Sequence, residues 1–138
     1  MSTRTAPPAA RARGAEAVLD LLRRHARPGE RGEDVLLDRG LVDDRELALA
    51  LAAASGRDLV GLRGFVPDER LFLYVPVATA VLERVCPLAL AGDVLTVASA
   101  YLDPDLAAVE ARFPNLSLDL VVSPRSEILA AVSHVAPR

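Results

Sequence analysis

Val85-Cys-Pro-Leu-Ala-Leu-Ala-Gly-Asp-Val-Leu-Thr-Val-Ala-Ser-Ala100 holds two apolar runs, Val85 to Ala91 and Val94 to Ala100, on either side of Gly92-Asp93. A glycine-aspartate pair between two such runs is a hairpin signal, because a tight hairpin turn needs backbone at positive φ. Downstream, Asp103-Pro104 reads as an N-cap followed by a proline in the first helical position, opening a helix that runs to Phe113 and stops at Pro114-Asn115. Leu116, Leu118, Leu120 and Val122 then alternate with Ser117, Asp119 and Val121, the period of a half-buried strand. Ser123-Pro124 repeats the cap-plus-proline device and starts a last helix through Ile128, Leu129 and Val132. The order is β-β-α-β-α. The hairpin and the later strand, tied by a helical crossover, imply a small mixed sheet with helices on one face.

The sequence before this sheet is helical in pattern. Ala15, Val18, Leu19, Leu22 and Ala26 recur at helical spacing, with Arg23 and Arg24 near the C-terminus, where a helix dipole favours cations, and Pro28-Gly29 ends the segment. Asp34 to Arg39 is a short helix closed by Gly40. Asp43 begins another, with Glu46 three residues on as an acidic capping box, and Gly56 ends it. A short strand is expected over Asp58 to Leu62, one helical turn or two from Asp68 to Leu73, and a helix from Val77 to Arg84 behind Pro76. Residues 1–13 carry Pro, Ala and Arg with no apolar period. The fold class is α+β: a disordered leader over 1–14, a helical subdomain over 15–66 and an α/β subdomain over 67–138, packed as one module.

Composition bounds the chemistry. With 138 residues, 51% of them hydrophobic, the chain can bury a core in one domain or two small ones. No apolar run approaches the roughly 18 residues of a membrane span, and the first residues have no apolar signal-peptide segment. The cytoplasm is therefore the expected compartment. All 16 basic residues are Arg. Without Lys there is no P-loop lysine, so P-loop nucleotide hydrolysis by this chain alone is excluded. Residues 30–138 hold ten Arg against seventeen acids, and a body of that sign repels nucleic-acid backbones. The single Cys86 can form neither an internal disulfide nor a zinc site, and within an apolar run it reads as a buried small hydrophobe. His25 and His134 are far apart and lack companions at metal-ligand spacing. The acid pairs Glu33-Asp34 and Asp43-Asp44 could be Mg²⁺ ligands, but capping and helix dipoles account for them. Five scattered aromatic residues and no Trp argue against a base-stacking platform. No nucleophile, base and oxyanion-stabilising set can be assembled, so the chain reads as no enzyme, with no cofactor and no metal.

One stretch is more specific. Within Arg31 to Gly56, Arg31, Leu36, Gly40, Leu41, Val42, Leu47, Ala50 and Leu51 fall in register with a motif of the form RLGxxLxxxGLLTxxxLxxALxxQ. This resembles the N-terminal domain of type II secretion and type IV pilus assembly ATPases, the GspE/MshE N-terminal family. Leu73-Tyr-Val-Pro76, Val85-Cys-Pro-Leu88 and Leu95-Thr-Val-Ala98 before Asp103-Pro104 resemble later parts of the same family, so the resemblance covers about residues 30–134. The motif's Leu, Gly and final Gln positions hold Gly32, Glu33 and Ala54 here.

The resemblance implies a protein-interaction module that docks a motor ATPase to the cytoplasmic part of an inner-membrane platform protein, or to its own ATPase domain. Such a module would be peripheral at the membrane through its partner. Some family members bind cyclic di-GMP, which makes Arg31, Leu36, Gly40, Leu47 and Leu51 the candidate ligand-binding residues. The alternative reading of the four besides Arg31 is helix-cap and core positions of a helical hairpin. A regulatory module fused to a glycosyltransferase or response regulator would share the fold.

Overall fold

The structure is a computed structural model that describes residues 14–25 and 27–135. The leader expected over 1–14 lies outside the described residues except for Gly14, and so does Ala26. Helix α1 (Gly14–His25), α2 (Gly32–Asp38) and α3 (Asp44–Ser55) come first. A 3₁₀ helix (Glu69–Leu73) and α4 (Val77–Glu83) lead into strands β1 (Val85–Ala91) and β2 (Val94–Ser99). Helix α5 (Ala107–Arg112), strand β3 (Ser117–Val122) and helix α6 (Arg125–Ser133) complete the order.

Local chemistry accounts for most of these boundaries. The Asp43 carboxylate accepts the Glu46 N–H at 2.7 Å while the Glu46 carboxylate accepts the Asp43 N–H at 2.9 Å, the reciprocal cap that starts α3. Gly56, at φ +72, ends it in the left-handed conformation that other residues resist. Asp68 caps the 3₁₀ helix through the Arg70 N–H.

The sheet has the order β1-β2-β3, with β1 antiparallel and β3 parallel to β2. Fold class and mixed topology are those the sequence pattern implies. A bulge between Pro87 and Ala89 interrupts β1, where proline offers no N–H to a ladder.

Three boundaries differ from the sequence reading. The strand expected at 58–62 is reduced to a single bridge between Leu59 and Val122, flanked by the Val60 N–H to Val122 and the Val122 N–H to Asp58, each 2.8 Å. Beyond it, the Leu62 N–H is taken by the Glu127 side chain at 2.7 Å instead of by a strand. Asp103-Pro104 does not open α5. The helix begins four residues later, with the Asp105 carboxylate accepting the Ala107 N–H. The Asp103 carbonyl is held by Arg31 and the Asp105 N–H by Glu83, so contacts from distant residues keep the intervening backbone out of helix. Ser123 does not cap α6 either: its hydroxyl donates to the Val60 carbonyl. The free N–H groups of Arg125 and Ser126 go to the carboxylate of Asp44, on α3.

Apolar side chains gather in two clusters. One, in the helical half, holds Val18, Leu36, Leu47 and Leu51, with Val122 of β3 joining it. The other surrounds the sheet and holds Val75, Val85, Leu95, Val97, Val109 and Ile128.

Candidate functional site

Arg31 precedes α2 in extended backbone, and its guanidinium reaches out of the helical half. It donates to the Glu83 carboxylate at 2.6 Å and to the Asp103 carbonyl at 2.7 Å, and it lies over the Tyr101 ring, 4.6 Å from the centroid. A charged hydrogen bond and a cation–π contact therefore share one planar group. The Tyr101 hydroxyl donates to Asp34, which also accepts from Arg125 at 2.9 Å. Burial first, then the hydrogen bond to Asp34, pushes the Tyr101 hydroxyl above the ordinary phenol range. Burial works against the charge on Arg125. Its hydrogen bonds to Asp34 and Asp38 nonetheless hold it above its ordinary value.

Around these groups lies a cleft of about 570 Å³, lined among others by Arg31, Asp34, Asp38, Glu83, Arg84 and Tyr101. Its acids and arginines are largely matched to one another. Glu33, only 7% exposed, turns away from it and accepts the Leu102 N–H at 2.7 Å. At the motif position where the family has glycine, this carboxylate thus holds the loop after β2 in place. The acid pairs weighed as Mg²⁺ ligands are occupied with protein groups: Asp43 with the α3 cap, Asp44 with the α6 N-terminus, Glu33 with Leu102, and Asp34 with Tyr101 and Arg125.

The structure divides the five candidate residues. Leu36, Leu47 and Leu51 meet one another inside the helical cluster, with their side chains buried. Gly40 stands exposed at the end of α2 with φ +69, outside the cleft. Only Arg31 reaches the cleft. Glu83, Tyr101 and Arg125, which with Asp34 complete its surroundings, were not singled out from sequence as site residues, and Asp34 was weighed there only as half of an acid pair. They lie 52 to 91 residues from their partners, and no local pattern marks such pairs. Cys86 is fully buried in β1, and burial pushes its thiol up to about 12, so it behaves as a packing group.

The fold and this site define a two-cluster α+β module whose halves are joined by a charged junction. Residues 55–138, well over half the chain, match the MshEN domain family, and the chain belongs to that family, of the GspE/MshE N-terminal type. The match begins after the motif that carries Arg31. The fold is similar to that of MshE in its structure with cdg, with a TM-score of 0.62 and 21% identity over 88% of this chain and 87% of that one. It is also similar to the N-terminal domain of XpsE in two crystal forms. In one the TM-score is 0.65 at 24% identity, over 91% of this chain and 98% of that one. In the other it is 0.60 at 24% identity, over 74% and 72%. At such identities the likeness concerns the fold. No curated protein matches the sequence significantly. Among the described residues, no helix is long and apolar enough to cross a membrane.

Proposed function

We propose that this chain is a non-catalytic docking module of a secretion or pilus assembly ATPase, joining the motor to the cytoplasmic part of an inner-membrane platform protein. The observation that carries the reading is the extent of the fold likeness, which spans 91% of this chain and 98% of the XpsE N-terminal domain in one crystal form. Family membership supports it as well. The work of such a module is contact, with apolar burial at the centre of an interface and charges at its rim. Exposed Leu73 and Leu82 are apolar side chains of the kind an interface covers. On this reading the chain sits on the cytoplasmic side of the membrane through its partner. A pull-down of the purified chain against the cytoplasmic domains of the platform proteins encoded in the same genome should retain one of them. Retention of none overturns the reading.

A second reading, binding of a cyclic dinucleotide, is favoured by the likeness to MshE in its structure with cdg. Arg31 would be the contact residue, in exchange for its present hold on Glu83 and Tyr101. Calorimetry with cyclic di-GMP should then show heat that Arg31→Ala removes. No heat from the wild-type chain ends this reading and leaves the docking role untouched.

A further inference from the structure

We propose that β1 is a self-association edge: two copies of this chain join antiparallel along β1, with Leu90 at the two-fold axis, into one six-stranded sheet. Gly92-Asp93 is a two-residue turn with Gly92 at φ +63, and Ala91 faces Val94 across it as the closing pair. Hydrogen-bonded and open pairs alternate from there, so Leu90, opposite Leu95, turns its N–H and carbonyl away from β2. Among the described residues, no backbone bond outside the sheet reaches Leu88, Ala89 or Leu90. The other edge differs. β3 carries Asp119, and the segment from Asp58 to Val60 covers its far end through the Val122 bonds. Charged side chains, proline and bulges are what keep an edge from pairing. β1 has no charged residue, and its proline and bulge stand at one end, which leaves the exposed run Ala89 to Ala91 open.

Beside this edge runs a groove of about 620 Å³ between β1 and the 3₁₀ helix, lined by Leu73, Tyr74, Leu88 and Leu90 with Asp68 and Arg70 at its rim. Leu73 is 73% exposed there. Charge selects a second copy as the occupant. Tyr74 also lines a hollow at the turn, together with Asp93 and Arg112, so the Asp68-Arg70 end of the 3₁₀ helix points away from the turn. An antiparallel copy centred on Leu90 carries its own turn to that far end. Asp93 of each copy then comes to Arg70 of the other, and the contact is made twice by symmetry. Arg70 gives Nε and one terminal nitrogen to Asp68, which leaves its other terminal nitrogen for this contact. An uncharged strand thus meets an uncharged edge, with opposite charges meeting at both ends.

Sedimentation equilibrium of the full chain, at concentrations up to about 1 mM, tests this. The mass should rise from 14.7 kDa toward twice that value. Leu90→Arg sets two like charges face to face at the axis and should weaken the dimer at least about tenfold. Arg70→Glu, on a side chain that is 83% exposed, should weaken it about tenfold without touching the core. Adding Asp93→Arg to Arg70→Glu should restore the dimer, because the exchanged charges again meet across the axis. If Leu90→Arg does not fold, this exchange decides by itself. A monomer throughout the concentration range overturns the proposal. A dimer that Leu90→Arg leaves intact also overturns it, since the copies then meet by another face. So does a failure of Asp93→Arg to rescue Arg70→Glu, since the strands are then not antiparallel about Leu90.

Discussion

Leu51→Ala separates a core leucine from a ligand-facing one. The Leu51 side chain is 0% exposed and lies in the cluster with Val18, Leu36 and Leu47, on the α3 face that α1 covers. Truncation removes its contacts and leaves a cavity that two short helices and a turn can only partly collapse into. Measured costs for such leucine deletions centre at about 3 kcal/mol. Alanine is the better helix former by only a few tenths of a kcal/mol, which barely offsets this. For a chain of 138 residues the entropy of unfolding is about 0.3 kcal/mol/K near 60 °C, so the midpoint should fall by about 10 °C. Calorimetry and urea unfolding of wild type and variant provide the comparison. A loss below about 1 kcal/mol with an unchanged urea dependence would refute the packing argument and return Leu51 to the surface.

Two further outcomes follow from single residues. Burial raises the Cys86 thiol to about 12, so at pH 8 its thiolate is about a thousandfold scarcer than for an ordinary thiol near 9. Alkylation by iodoacetamide, followed by mass spectrometry, should be negligible in the folded chain and rapid in urea; fast reaction under native conditions contradicts the burial. Gly40→Ala should cost about 1–2 kcal/mol in thermal melts, because φ +69 is strained for any side chain although a Cβ there meets nothing within 4 Å. An unchanged midpoint would mean that α2 ends in another conformation.

Where a boundary depends on neighbours in the chain, the sequence reading and the structure coincide. Asp43 and Glu46 cap each other across three residues, and Gly92-Asp93 turns β1 onto β2 because the glycine can take φ +63. The family resemblance was also legible, since motif order survives loose identity. Reading failed where a residue is claimed from far away. Asp103-Pro104 has the chemistry of a helix start, yet Arg31, 72 residues earlier, takes the Asp103 carbonyl, and Glu83 takes the next amide. Ser123 could cap α6, yet Asp44 does so from 81 residues away.

Local sequence thus determined the elements and their order, because capping, turn geometry and apolar period act over a few residues. Only the tertiary structure decided which motif residues are core and which face the junction. Leu36 and Arg31 sit five positions apart in one motif, but the first is buried against α1 and α3 while the second is held by Glu83 and Tyr101 of the sheet half. That assignment rests on charges and rings brought together by the packing of two apolar clusters, and such pairings leave no periodic trace along the chain.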